Sequence, residues 1–125
     1  MLKFTSTEKA PAAIGPYSQA VAVNGFLFTS GQVALMPGTG EIDGTTVQQQ
    51  AERVCQNLKA ILEENGLTFE DVVKTTCFLA DMNDFAAFNE VYGKYFVNKP
   101  ARSCVAVKTL PKNLLCEVEV IPALK

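Results

Sequence analysis

The residues of this sequence that could do chemistry lie close together, in two short apolar runs. Arg102 begins the run Arg-Ser-Cys-Val-Ala-Val at 102–107, and Glu117 and Glu119 lie in Cys-Glu-Val-Glu-Val-Ile at 116–121. Both runs have the length and apolar content of β-strands, so each places charge on a largely apolar strand. A guanidinium binds a carboxylate through two parallel hydrogen bonds, and a glutamate can move a proton. The pattern therefore admits a site that anchors a small acid and performs acid–base chemistry on it.

The same pattern also fits strands that have no site. A charge is seldom buried alone in a protein, because removing it from water costs several kcal/mol. On the water-facing side of an antiparallel sheet, Arg102 and Glu117 would form a weak cross-strand pair worth about 0.2–1 kcal/mol. Glu119 shares the strand face of Glu117, so it is either a structural partner or the acid itself. The alternation of residues alone does not choose among these alternatives.

The residue types that are missing narrow the chemistry further. The chain has no histidine, which excludes a Ser–His or Cys–His nucleophile. Its cysteines are too widely spaced for a CxxC redox or zinc motif, and we expect them to be reduced and to pack as small apolar side chains. No metal and no cofactor are expected. The cysteines are Cys55, Cys77, Cys104 and Cys116.

Length, hydropathy and charge limit the class of protein. At 125 residues the chain can build one hydrophobic core, so we expect a single domain over residues 1–125. No apolar run approaches the ~18–20 residues of a membrane-spanning helix, and the first residues lack the basic-then-apolar order of a signal peptide. We therefore expect a cytoplasmic protein with no membrane partner. Eleven basic and thirteen acidic residues give a net charge of −2 without a basic stripe, so no nucleic-acid partner is expected.

The strongest local signal is a β-hairpin. Asn-Gly at 24–25 stands between two apolar runs and predicts a type I′ turn. A two-residue loop sets the register of the strands, and it pairs Val23 with Phe26. Continuing that register places Tyr17 beside Gln32. Two segments that are separate in sequence should therefore meet at one end of the hairpin.

The rest of the chain alternates helices and strands. A helix is predicted from Thr45 or Thr46 to about Asn65, with a glutamine placed for a capping box. A strand over 72–80 should carry Val73, Cys77 and Leu79 on one face, and a second helix should run from near 81–84 to about 97. This order predicts an α+β fold, in which one mixed sheet has both helices on one face. Its other face would remain open in a monomer and favours oligomerisation.

Several ordered motifs resemble the RidA (YjgF-like) family of enamine/imine deaminases. They extend over essentially the whole chain, which makes the resemblance specific. They are Ala-Ile-Gly-Pro-Tyr-Ser-Gln-Ala at 13–20, Phe-Thr-Ser-Gly-Gln at 28–32, Gly-Glu-Ile at 40–42, Asn-Asp-Phe-Ala-x-Phe-Asn-Glu-Val-Tyr at 83–92, Pro-x-Arg-Ser-x-Val-x-Val at 100–107 and Leu-Pro-x-x-x-x-x-Glu-x-Glu at 110–119.

The resemblance implies both an assembly and a reaction. The fold would be a chorismate-mutase-like, six-stranded α+β domain that forms a homotrimer, with the sheets as an inner barrel and three clefts between subunits. The reaction would hydrolyse the C=N bond of 2-iminobutanoate and 2-iminopropanoate to 2-keto acids and ammonia. Arg102 matches the position of a carboxylate anchor, and Glu117 matches that of the group that activates water. The matching substrate-binding positions are Tyr17, Ser30, Gly31, Asn89 and Cys104.

The sequence departs from the family pattern at one position, and two other functions remain as alternatives. Lys99 takes the place of an aromatic residue before Pro100, in a short segment, so we expect an altered pocket wall. A non-catalytic regulatory trimer could bind small 2-keto or imino acids through the same arginine. A ribonuclease or translation inhibitor is the third alternative, and the absence of histidine and the mildly acidic charge argue against it.

Overall fold

Six strands and two helices make up the fold. The computed structural model describes residues 1–125 throughout, and its element order confirms the predicted α+β class. Neither helix is long and apolar enough to span a bilayer. The strands are β1 (Lys3–Thr5), β2 (Ala20–Val23), β3 (Phe26–Thr29), β4 (Val72–Leu79), β5 (Ala101–Ala106) and β6 (Cys116–Pro122), and the helices are α1 (Val47–Glu64) and α2 (Phe85–Tyr95).

The first half of the sheet is the predicted hairpin with one added strand. Asn24 and Gly25 both have positive φ, at 52° and 85°, as a type I′ turn requires. Val23 pairs with Phe26 as predicted, and β1 lies antiparallel to the other side of β2. The turn therefore sets the register of this half of the sheet.

The second half is centred on β4. Strand β5 runs parallel to β4 on one side, and β6 runs antiparallel to β4 on the other. A parallel pair needs a crossover connection, which helix α2 supplies between β4 and β5. Because β4 separates β5 from β6, the alternative of a cross-strand pair between Arg102 and Glu117 is wrong.

A short seam joins the two halves into one mixed six-stranded sheet. Bridges connect Phe26 with Ala123 at one end of the seam and Gln32 with Val118 at the other. Between them, the buried Thr29 hydroxyl accepts a hydrogen bond from the backbone N–H of Val120 at 2.9 Å and donates to the Val120 carbonyl at 3.2 Å. One side chain thus satisfies both backbone groups of Val120 where the ladder is incomplete. The strand order is β1-β2-β3-β6-β4-β5, with β1 and β5 at the edges.

Both helices cover one face of this sheet. The Thr46 side chain accepts from the backbone N–H of Gln49, whose own side chain accepts from the backbone N–H of Thr46, and this capping box starts α1 as predicted. Helix α1 buries one apolar stripe against α2 and the sheet, as its periodicity predicted. The buried stripe comprises Val47, Ala51, Val54, Leu58, Ile61 and Leu62.

The opposite face of the sheet has no cover and carries large apolar side chains. Phe4, Phe28 and Val105 are 61%, 44% and 47% exposed on it. The expectation that Val73 shares the buried face of β4 is wrong. The register of β4 against β6 shifts between Val72 and Lys74, so Val72 turns inward and Val73 outward.

Replacing Thr29 by valine should weaken the seam between the halves of the sheet. Valine keeps the volume but leaves both buried backbone groups of Val120 without their partner, so we expect a loss of about 1–3 kcal/mol in the free energy of unfolding. Urea denaturation measures the change. Thr76→Val, a half-buried position on the uncovered face of β4, is the matched control and should stay within about 0.5 kcal/mol of wild type. Equal effects of the two substitutions would contradict the role of Thr29.

Candidate active site

The predicted site residues fall into two groups within one chain. The open-face group comprises Tyr17, Ser30, Gly31 and Glu117, and the helix-face group comprises Asn89, Arg102 and Cys104. The pairing register explains the division, because paired residues on neighbouring strands point to the same side of a sheet. Arg102 is paired with Thr75, which is fully buried beneath the helices, whereas Glu117 is paired with Phe78 on the open face.

Glu117 lies against Gly31 in the open-face group. A Cβ atom added to Gly31 would overlap Glu117 Oε2 and lie 2.8 Å from its Cδ, so glycine is what allows this approach. The neighbouring residue Gln32 exchanges backbone hydrogen bonds of 2.9 and 3.1 Å with Val118, which is adjacent to Glu117 in sequence. These bonds hold the Gly31 backbone beside the carboxylate.

The environment of Glu117 favours its protonated form. Burial is the larger cause and the nearby Glu119 carboxylate the second, and together they raise the pKa of Glu117 above its ordinary value. No cation forms an ion pair with it, since the two ion pairs in the structure are Arg53–Asp43 and Lys125–Asp71. A shift in this direction makes the carboxylate a stronger base, which suits a role in proton transfer.

The hairpin end brings the other members of the open-face group together, and the predicted ladder extends to the Ser30–Gln19 backbone hydrogen bond of 2.9 Å. Ser30 donates its hydroxyl to the Ser18 carbonyl at 2.6 Å, and Tyr17 and Gly31 line one cavity of about 270 Å³. The predicted pairing of Tyr17 with Gln32 is wrong, because the backbone of Gln32 bonds to Val118 instead. The two sequence segments therefore meet through hydrogen bonds from Ser30 to the Ser18 and Gln19 carbonyls, and Tyr17 and Gly31 face one cavity beyond them.

Arg102 is the centre of the helix-face group. Its Nη1 donates to Asn89 Oδ1 at 2.8 Å, and its guanidinium carbon lies 4.6 Å from the ring centre of Tyr92 and 5.3 Å from that of Phe85. No carboxylate pairs with it. Asn89 and the two rings all belong to α2, so this helix positions the guanidinium.

Cys104 follows Arg102 on the same strand face. It is paired in register with Cys77 on β4. Burial raises the pKa of Cys104, an effect that the Arg102 charge opposes, and burial also raises the pKa of Cys77 to about 12. Both thiols are therefore protonated at neutral pH and poor nucleophiles.

A second cavity opens onto the guanidinium. It has a volume of about 340 Å³, and Asn89, Tyr92 and Arg102 line it together with residues of the segment that follows α2. Val97, Lys99 and Pro100 are part of this wall, so the segment that carries Lys99 lines the cavity beside Arg102. The wall contains no acidic residue.

Sequence reasoning missed the aromatic partners of Arg102. The sequence places Phe85 and Tyr92 in an aromatic helix stripe, which predicted core packing. Tyr92 is indeed buried, yet one of its contacts is with the guanidinium. A signal was available in the spacing, because Phe85, Asn89 and Tyr92 follow one another at intervals of four and three and share one side of a helix.

The arrangement can anchor an acid and exchange a proton, but one chain does not bring the two functions into one cavity. Arg102 and Glu117 point to opposite faces of the sheet, and β4 lies between their strands. No cluster of three or more metal-ligating side chains exists in the chain.

Comparisons with known proteins agree with this fold and these motifs. A family model described as endoribonuclease L-PSP matches residues 7–124. A RutC family protein of Synechocystis sp. is 54% identical over 126 residues, which cover 98% of this chain and 97% of the relative. The chloroplastic Reactive Intermediate Deaminase A of Arabidopsis thaliana is 48% identical over 120 residues, which cover 95% of this chain and 64% of that protein.

A solved structure gives the same result for the fold. The crystal structure of E. coli TdcF with bound serine has a TM-score of 0.92 to this chain at 45% sequence identity. The superposition covers 98% of this chain and 99% of the TdcF chain. This chain and TdcF thus share the six-stranded sheet with two helices on one face.

Replacing Glu119 by glutamine should lower the pKa of Glu117, because it removes the neighbouring negative charge that opposes ionisation. Titration of the Glu117 side-chain carboxyl by ¹³C NMR measures the shift. Wild type should lose stability as pH rises from the ordinary pKa of a glutamate to the raised pKa in the folded state, and Glu119→Gln should lose less. Glu64→Gln, exposed on α1, changes the net charge equally and is the control. An unchanged Glu117 titration in Glu119→Gln would contradict the coupling.

Proposed function

This chain belongs to the endoribonuclease L-PSP family, and on that premise we propose that it hydrolyses short 2-imino acids to 2-keto acids and ammonia. The family that the sequence motifs indicated, with RidA as a member, is the one that the comparisons identify. The proposed substrates are 2-iminobutanoate and 2-iminopropanoate, the reactive products of PLP-dependent threonine and serine dehydratases. The proposed compartment is the cytoplasm.

The observation that carries the proposal is the unpaired guanidinium of Arg102. A partly buried cation without a carboxylate partner is poised for an anionic ligand, and the planar guanidinium matches a carboxylate through two hydrogen bonds. The acid-free cavity of about 340 Å³ beside it suits a small acid. The bound serine of TdcF, which carries an α-carboxylate, is a ligand of the same size class.

The reaction requires little beyond anchoring and one proton relay. The C=N carbon is already electrophilic, so Glu117 takes a proton from water as the water oxygen attacks C2. When the imine nitrogen is protonated, this attack gives a neutral carbinolamine, and the same proton then passes from Glu117 to its nitrogen. Glu117 next takes the proton of the carbinolamine hydroxyl as the C=O bond forms and the C–N bond breaks. Ammonia and the 2-keto acid leave, and the proton on Glu117 returns to solvent. The Gly31 N–H would add a hydrogen bond to the substrate carboxylate, and Tyr17, Ser30, Asn89 and Cys104 would line the cleft. The raised pKa of Glu117 supports its part in this relay.

We further propose that the site is completed between subunits of a homotrimer. Arg102 and Glu117 lie on opposite faces of the sheet, so a substrate that touches both must receive one of them from another chain. The uncovered face, with Phe4, Phe28 and Val105, supplies an apolar surface for that association. A trimer with three clefts satisfies both requirements.

Arg102→Ala should reduce deamination by at least about 100-fold, because the substrate carboxylate loses its anchor. Arg102→Lys should stay strongly impaired, since an ammonium cannot reproduce the bidentate geometry. The assay mixes the protein with a threonine dehydratase and threonine, and compares release of 2-ketobutanoate with trapping of the imine by semicarbazide. Full activity in either variant would contradict the role of Arg102 as the anchor of the substrate carboxylate.

The same assay separates the proposed enzyme from its alternatives. If wild-type protein leaves the partition between keto acid and trapped imine unchanged, a ligand-binding regulatory trimer is favoured. Glu117→Gln should keep its affinity for 2-ketobutanoate but lose turnover. Unchanged turnover would instead indicate that Glu119 exchanges the proton. Digestion of a labelled RNA that survives Arg102→Ala would point to a ribonuclease outside this cleft.

Val105→Glu should produce a folded monomer with little activity. Val105 is 47% exposed in the single chain, so a charge is tolerated there, but three such charges buried at a subunit interface are not. Light scattering should give a mass of about three times 13.5 kDa for wild type and about 13.5 kDa for the variant. A fully active monomer would contradict the intersubunit site. Lys94→Glu, which adds a negative charge on the exposed side of α2, is the control and should leave the mass unchanged.

A further inference from the structure

The guanidinium of Arg102 is held entirely by uncharged groups. Asn89 Oδ1 accepts a hydrogen bond from one of the five N–H donors of the guanidinium. The ring centres of Tyr92 and Phe85 lie 4.6 and 5.3 Å from the guanidinium carbon. An aromatic face attracts a cation through its quadrupole without neutralising the charge. A carboxylate partner would do the opposite, since it would neutralise the arginine and would have to be displaced by any acid that binds.

Tyr92 is itself held from three sides. Its hydroxyl is 2.7 Å from Thr75 Oγ1, its ring is stacked on that of Phe96 with 4.3 Å between centres, and the ring of Phe88 lies 5.7 Å away. Such packing restricts rotation of the ring.

Thr75 connects this contact back to the arginine. It is fully buried on β4 and is the register partner of Arg102 on β5. The strand that neighbours Arg102 therefore anchors the ring that positions its guanidinium. The result is a closed set of contacts, from Arg102 to Tyr92, from Tyr92 to Thr75, and through the strand pairing back to Arg102.

We propose that Tyr92, assisted by Phe85, is a positioning residue that orients the Arg102 guanidinium for a ligand carboxylate while leaving its full charge available. Only one of the five N–H donors, on Nη1, has a hydrogen-bond partner, so donors remain for the two hydrogen bonds that a carboxylate accepts. This inference rests on the proposed function for its substrate, but the positioning itself concerns any small carboxylate at Arg102.

The test compares Tyr92→Leu and Tyr92→Phe with a matched control on the same helix. Tyr95→Leu also removes an aromatic ring and a hydroxyl group, which here accepts a hydrogen bond from the Gln56 amide at 2.8 Å, but the Tyr95 ring makes no cation–π contact with Arg102. Calorimetry with 2-ketobutanoate as the probe measures affinity, the dehydratase-coupled assay gives KM and kcat, and thermal melting monitors folding. Tyr92→Leu should weaken binding and raise KM by about tenfold. Tyr92→Phe, which keeps the ring, should stay within about threefold of wild type, and Tyr95→Leu should bind as wild type does.

A second variant and a spectroscopic signature keep the proposal falsifiable if Tyr92→Leu folds poorly. Phe85→Leu, at the half-buried first residue of α2, should weaken binding in the same direction. The NMR signal of the Arg102 Hε proton should also lose the ring-current contribution of Tyr92 in Tyr92→Leu and keep it in Tyr92→Phe. If Tyr92→Leu and Phe85→Leu bind 2-ketobutanoate as tightly as Tyr95→Leu, the positioning role is overturned.

The same measurements distinguish this failure from failure of the proposed function. A wild-type protein that binds 2-ketobutanoate without deaminating the imine would refute the enzyme. The positioning role would then still be judged on affinity and on the arginine signal. A wild-type protein that deaminates normally, with Tyr92 variants unchanged in KM, would refute the positioning role alone.

Discussion

The interaction on which the site depends is the contact of a partly buried arginine with an amide oxygen and two aromatic rings. Burying a cation is costly unless other groups replace the water that solvated it, and in most proteins a carboxylate does so. Here Asn89, Phe85 and Tyr92 take the place of a carboxylate, so Arg102 is held in one orientation without being neutralised. All three belong to α2, and the Thr75 hydroxyl on β4 is hydrogen-bonded to the Tyr92 hydroxyl. Helix α2 therefore has two roles. It connects the parallel strands β4 and β5, and its side chains contact the guanidinium of Arg102 on β5.

A second constraint follows from the two faces of the sheet. The helices bury one face, which carries Arg102, and the other face carries Glu117 among exposed phenylalanine and valine side chains. Glu117 is brought close to the backbone at Gly31 only because glycine has no Cβ and because Gln32 is bonded to Val118. Arg102 and Glu117 are thus each positioned by contacts within one chain, but on opposite faces of its sheet. The proposed cleft between subunits answers this separation, because it lets one chain supply Arg102 and another supply Glu117.

The chemistry of these residues also bears on how the family description should be understood. The description names an endoribonuclease, whereas a relative that is 48% identical is named a reactive intermediate deaminase. The chain has no histidine and a net charge of −2, and its guanidinium lies beside a cavity of about 340 Å³. A polyanionic RNA is usually bound by a basic surface, while a small carboxylate needs one well-oriented arginine. The site therefore fits the deaminase name better than the endoribonuclease name.

The sequence by itself determined the features that depend on neighbouring residues. Asn24-Gly25 dictated the hairpin and its register because both residues tolerate positive φ. The sequence placed the start of α1 at Thr45 or Thr46 because capping needs only one turn of chain, and the structure selects Thr46 with Gln49. The ordered motifs identified the family and the candidate residues. Only the tertiary structure decided which face each residue occupies and what it touches. A one-residue register shift in β4 turned Val73 outward, Gln32 paired with Val118 rather than with the hairpin, and Thr29 closed the seam with β6. Arg102 and Glu117 were placed on opposite faces, and Tyr92 was placed against the guanidinium, because strand order and helix packing arise from contacts between residues that the sequence separates.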